Sequence, residues 1–192
     1  MRYINTLPED WTEFRAWVIE AKVKSDTEAW DKLQSPEWML CLAEERGIEL
    51  DTSKLRRFAA DCADDVLHIY ERHHPDDDRP RKAIQATRDY ADGKIETDVR
   101  VSASAAASSA SMRTTSRAAE YAARAASYAA AWQDDDAVSA AAWAAADAAA
   151  AVARDVASVS DEDSGDAAWI AAMSEQAKCL RKYFPNPFEA KP

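Results

Sequence analysis

The chain has 192 residues, with 24 Lys and Arg against 35 Asp and Glu, a formal charge of −11 and a pI of about 4.8. That length suits one domain, and the charge works against non-specific binding to nucleic acid or to an anionic membrane surface. With only three glycines, few β-branched residues and abundant alanine, the composition excludes a sheet-rich fold and predicts an all-α single-domain bundle.

Pro8, Glu9 and Asp10 open a first helix whose Trp11, Phe14, Trp17 and Val18 share one face. A short second helix, SDTEAWDKL, takes Ser25 or Asp26 as its cap and turns Trp30 and Leu33 inward. In SPEWMLCLAEERGIEL, Ser35 is the N-cap, Pro36 holds the first helical position and Gly47 ends the helix. Asp51 or Thr52 caps the next, in which Leu55, Phe58, Ala59, Cys62, Val66, Ile69 and Tyr70 trace a buried stripe and Arg57, Asp61, Asp64 and His68 lie on the flanks. Pro75 stops that helix, Pro80 starts another with Ile84, Tyr90 and Ala91 inward, and Gly93 closes it.

Residues 101–159 hold 27 alanines and no glycine or proline. Alanine is the strongest helix former, so this stretch predicts a closely packed pair of helices. One runs from about Ser102 to Trp132, with Tyr121 and Tyr128 on one face, and the second from Ala137 to about Ser158 with Trp143 inward. Asp134, Asp135 and Asp136 cap the junction. SVSDEDSGD forms a turn, and a last helix buries Trp169, Ile170, Met173, Ala177 and Leu180. PNPFEAKP then leaves as an extended tail. The expected organisation is about seven or eight helices in one domain: an N-terminal part (1–93), the Ala-rich pair (94–159), a C-terminal helix (160–186) and a tail (187–192).

The densest cluster of chemistry-bearing side chains is HHPDDDRPRKAI, residues 73–84. His68, Glu71, His73 and His74 precede Asp76, Asp77 and Asp78, but neither the HExxH zinc spacing nor the alternating ligands of a calcium loop is present. The segment reads better as a structural corner built from Pro75, Asp78, Arg79, Pro80 and Arg81. In that reading Asp78 caps the new helix and Arg79 or Arg81 ties it to the preceding one. Asp61 with Asp64 or Asp65 could in principle do acid–base work, yet on a helix flank they fit ion pairing with Arg57, Arg88 or Lys54 better. No phosphate loop, nucleophile elbow or Cys/His pair stands out, so no catalytic residue, metal or cofactor is expected. Cys41, Cys62 and Cys179 are odd in number and lie in apolar helical patterns, as buried thiols of a reducing compartment would. The N-terminus lacks the apolar run of a signal peptide, and no apolar run is long enough to span a membrane, so a cytoplasmic protein is expected.

AWDKLQSPEWMLCLA, then RRFAADCADDVLHIYERHHPDDDRPRKAIQATRDYADGKI, then the alanine run and a terminal CLRKYF resemble the Imm-5-like immunity proteins of bacterial and phage polymorphic toxin systems. The likeness spans roughly residues 26–186, and its most specific part is HPDDDRPRKAI followed by GKI. The resemblance implies an all-helical cytoplasmic protein that binds and neutralises a toxin, with no catalytic residues. The net charge independently favours a basic protein partner, a toxin or a defence effector, over direct nucleic-acid or membrane binding. Candidate partner-binding residues are the acidic clusters Asp76–Asp78, Asp134–Asp136, and Asp161 with Glu162 and Asp163. A phage-encoded inhibitor of a host defence nuclease, acting as an acidic nucleic-acid mimic, would have the same physics. A structural protein whose Ala-rich helices pair between chains is the alternative of a different class, so homo-oligomerisation is an open expectation.

Overall fold

The computed structural model describes residues 3–131 and 136–189, the side chain of Ile4 excepted. After a 3-10 turn at Tyr3–Thr6 come α1 (Thr12–Glu20), α2 (Asp26–Lys32), α3 (Pro36–Glu45), α4 (Thr52–His73), α5 (Arg79–Ala91), α6 (Thr97–Ser111), α7 (Arg117–Ala130), α8 (Ala137–Ala157) and α9 (Glu162–Tyr183). The described residues thus form an all-α bundle, one helix richer than the upper expectation.

Start signals act chemically. The side-chain oxygens of Ser25, Ser35, Asp51, Ser116 and Asp161 each accept a hydrogen bond from the backbone N–H three residues on, satisfying a donor the helix itself leaves free. At Gly47 and Gly93 the backbone is left-handed (φ 65° and 70°), and Ile48 and Lys94 donate back to Ala43 and Asp89 to close the helix. Lys22 adopts the same region after α1 (φ 54°) without glycine's freedom.

Helix α4 is the axis of the bundle. Its stripe of Leu55, Phe58, Ala59, Cys62, Val66, Ile69 and Tyr70 is buried, and it packs against α5, α7, α8 and α9. Around it, α7 and α8 pack against each other, and their buried residues are almost all alanine: Ala118, Ala119, Ala122, Ala123, Ala125, Ala126, Ala129 and Ala130 on α7, and Ala137, Ala140, Ala141, Ala144, Ala145, Ala148, Ala149 and Ala151 on α8. Seams of methyl groups let backbones approach closely. Between α6 and α7 the approach is close enough for Ser104 and Ser127 to donate to each other's carbonyl oxygens, at 3.0 and 3.2 Å.

Arginines stitch the helix C-termini, where free carbonyls and the helix dipole favour a cation. The fully buried Arg100 donates to the carbonyls of Ala130 and Ala131 at the end of α7 and lies over the Tyr90 ring, whose centroid is also 5.1 Å from the Arg56 guanidinium. Arg181 donates to the Trp30 and Leu33 carbonyls at the end of α2. Arg57 joins Asp92 and the Ala91 carbonyl after α5.

Several sequence expectations are corrected. The single helix expected from Ser102 to Trp132 is two, because Thr114 accepts from the Ser116 N–H and Ser116 caps α7: hydroxyls compete with the helical ladder without any glycine or proline. Trp132 itself lies outside the described residues. The turn expected through SVSDEDSGD is shorter, since α9 begins at Glu162 and Gly165 is a buried helical residue. Trp143, Trp169 and Ile170 are not core residues but 53%, 42% and 56% exposed. Of the thiols, Cys62 is buried, whereas Cys41 and Cys179 are only partly so. Nor does the C-terminal segment leave the body: Asn186 donates to the Thr27 carbonyl and to Asp31, and the Phe188 ring packs edge-on against Trp30 at 5.9 Å.

Candidate protein-docking surface

The three acidic clusters have different fates. In the first, Asp77 is turned into the structure. It accepts from the Arg79 guanidinium and backbone N–H and from the Tyr70 hydroxyl at 2.7 Å, and Arg79 holds its carboxyl well below the usual range. Asp78 occupies the N-cap position of α5, but its side chain makes no capping bond, which corrects its assignment as the cap; it pairs instead with Lys82 on the surface. Pro80 stands in the first turn of α5 and is buried, Arg81 reaches Glu71 of α4 through two hydrogen bonds, and Pro75 and Asp76 are exposed. His74 lies against the Tyr70 ring.

In the second cluster Asp134 and Asp135 lie outside the described residues, and Asp136 is exposed at the N-cap position of α8 with no side-chain capping bond. In the third, Asp161 caps α9 by accepting from the Ser164 N–H at 2.8 Å, which lowers its pKa. Glu162 and Asp163 follow in the first turn and are exposed. With Asp166, they line a cleft of about 550 Å³ between α8 and α9, whose walls also include Tyr121, Trp169 and one cation, Arg154.

Trp169 is the wall shared with a second depression, an apolar groove of about 410 Å³. Phe14 and Trp17 of α1, Trp38 of α3, and Trp169, Ile170 and Met173 of α9 line it. On the α1–α3 side the rings interlock: Phe14 stacks on Trp38 at 5.2 Å, and Trp11 meets both edge-on at 5.4 and 5.6 Å. On α9, Trp169 falls one turn after the buried Gly165 and one turn before the buried Met173, so an open indole interrupts an otherwise buried line. The sequence pattern places Trp169 and Ile170 in the core together with Met173, and only Met173 is buried. The usable signal was size, since an indole cannot enter a seam shaped for glycine and alanine.

Two further constellations are internal supports. Arg88 bridges Asp61 and Asp64, and the Tyr183 hydroxyl donates to Asp61 at 2.6 Å, tying α4, α5 and α9 together. Arg124 pairs with the buried Asp147 at 3.1 Å and lies over the rings of Tyr121 and Tyr128; burial pushes the Asp147 carboxyl up to about 6 despite the guanidinium. The Cys41, Cys62 and Cys179 thiols are all pushed up by burial, away from the thiolate form a nucleophile needs. Among the described residues no group of three or more His, Cys, Asp or Glu is placed to hold a metal ion, and no helix is long and apolar enough to cross a membrane.

Taken together, these features define an acidic helical bundle with an aromatic groove on its surface. The family described as Imm-5 like putative immunity protein matches residues 48–171, about two thirds of the chain, and the protein belongs to that family. No curated protein and no solved structure matches the chain.

Proposed function

We propose that this protein is a non-enzymatic inhibitor that neutralises a basic toxin domain, a nuclease being the best-suited class, by binding it. The observation that carries the reading is the net charge of −11 on a bundle many of whose arginines are engaged internally. Arg46, Arg57, Arg72, Arg79, Arg81, Arg88 and Arg124 are engaged by carboxylates of the same chain, and Arg181 by backbone carbonyls. Carboxylates such as Asp76, Asp136, Glu162, Asp163 and Asp166 remain exposed and make no ion pair among the described residues. Surplus negative charge on a rigid body steers a basic partner toward it and opposes a phosphate backbone. Membership of an immunity-protein family supports the same reading, for which we propose a cytoplasmic setting.

The test is retention of host proteins on the immobilised chain at low salt, identification of those released by raising the salt, and co-expression of each with and without this protein. A basic protein that arrests growth alone and not in co-expression is the expected result. Retention of no basic protein, or growth arrest that co-expression leaves unchanged, would sink the reading.

A further inference from the structure

We infer that the groove between α1, α3 and α9 is the docking site for a bulky apolar side chain presented by a basic polypeptide segment, with Trp169 as the central contact. The inference rests on the proposal that the protein binds a basic protein, and it assigns the face and the anchoring chemistry.

Three observations converge. First, the groove is lined by large rings that a monomer gains by covering: Trp17 and Trp38 are only partly buried, and Trp169 and Ile170 lie largely open beside them. Tryptophan in a preformed depression is the residue type that most often dominates binding energy at protein interfaces. Second, the depression is held open by structure on both sides, the stacked Phe14–Trp38 pair on one and the α8–α9 seam at Gly165 on the other, so little ordering cost falls on binding. Third, the surroundings select the partner's charge. Glu13 and Lys32 offset each other at the groove, while across Trp169 the cleft presents Glu162, Asp163 and Asp166 against Arg154 alone. A segment seating an apolar residue in the groove would lay its neighbours over a net negative rim, where Lys or Arg is attracted and Asp or Glu is repelled. A Lys or Arg there would also meet the exposed indole face. A second copy of this chain, itself strongly acidic, fits that rim poorly.

Random peptides displayed on phage and selected against the full-length chain provide the test. Enriched peptides are expected to carry a bulky apolar residue with Lys or Arg within a few positions. Trp169→Ser and Ile170→Ser, both at exposed positions, should each weaken the best peptide by about tenfold or more, whereas Trp143→Ser, an exposed tryptophan outside the groove, should not. Circular dichroism and melting of each variant verify the fold. Enrichment of peptides without cations, enrichment of no common motif, or undiminished binding to the Trp169 and Ile170 variants would overturn the assignment. So would a homodimer in sedimentation that Trp169→Ser dissociates, since a second copy would then cover the groove. A toxin that binds the Trp169→Ser variant as tightly as the wild type removes the groove and leaves the inhibitor reading standing. Selected peptides that need Trp169, in a protein that retains no basic host partner, do the opposite.

Discussion

At the corner between α4 and α5, neighbouring aspartates differ in what they touch. Asp77 serves Arg79 and Tyr70, so Asp77→Ala strands a phenol and a guanidinium and is expected to cost about 1–3 kcal/mol. Asp78→Ala removes only an exposed pair with Lys82 and should stay within about 0.5 kcal/mol of the wild type. Urea unfolding of the two variants side by side checks this; equal losses would restore Asp78 as the cap. The two carboxyls with the clearest environments also respond to pH in opposite senses. Asp77 is depressed by Arg79, so its stabilisation is complete above the ordinary carboxylate range and is lost as the pH falls below it. Asp147 is raised from 3.8 to about 6, mainly by burial, with Arg124 pulling it down and Glu120 adding to the rise. Between those two values the folded chain holds a proton that the unfolded chain has released, so this group's contribution to stability falls as the pH rises through the window. Asp147→Asn keeps an acceptor for Arg124 and abolishes the titration. Its stability relative to the wild type should therefore be greater at pH 7 than at pH 4, by on the order of 2–3 kcal/mol. A difference that does not change with pH, measured by denaturant unfolding at both values, would refute the assignment.

At the scale of elements, the decisive feature is how tightly α8 and α9 cross. A Cβ added at Gly165 would stand 2.9 Å from the Ala157 Cβ and 3.1 Å from the Ala153 carbonyl oxygen, neither of which can swing away. Helix propensity alone says that Gly165→Ala stabilises α9 by about 1 kcal/mol. Overpacking a close seam costs about 1–3 kcal/mol, and because both obstacles belong to the α8 backbone or its first carbon the cost is expected to win. A lower melting temperature is the predicted outcome, and a higher one would show that the helices separate freely. The same tightness explains which parts of the fold were legible. Helices α2 to α5 could be read from Ser25, Ser35, Pro36, Asp51, Pro80 and the two left-handed glycines, because each signal is a local chemical act between residues a few positions apart. The break after α6 depends on Thr114 and Ser116 hydroxyls that would equally be tolerated inside a helix, so an alanine-rich context hides it. Trp143 was misplaced for a tertiary reason: α7 and α8 meet through methyl groups, and the indole is displaced to the flank, where it stacks on Tyr128 at 6.1 Å.

For the whole molecule, acidity was legible from composition, but the groove was not, because it exists only where α1, α3 and α9 converge from distant parts of the chain. The acidic clusters and the groove should also make different contributions to binding. Net charge acts at a distance and is screened over about 10 Å at 0.1 M salt, so it governs the rate of encounter. Trp169 acts only after contact, by excluding water, and governs how long the complex lasts. With a captured partner or a selected peptide in surface plasmon resonance, the association rate should fall by about tenfold or more from low to high salt while the dissociation rate changes little. Trp169→Ser should speed dissociation and leave the salt dependence of association intact. Replacing Glu162, Asp163 and Asp166 together by Gln, Asn and Asn should flatten that salt dependence, because these three charges line the cleft that meets the groove at Trp169 and make no ion pair among the described residues. If the triple variant kept the full salt dependence, the steering charge would lie elsewhere on the bundle, and Asp76 and Asp136, exposed at other helix junctions, would be the next to neutralise.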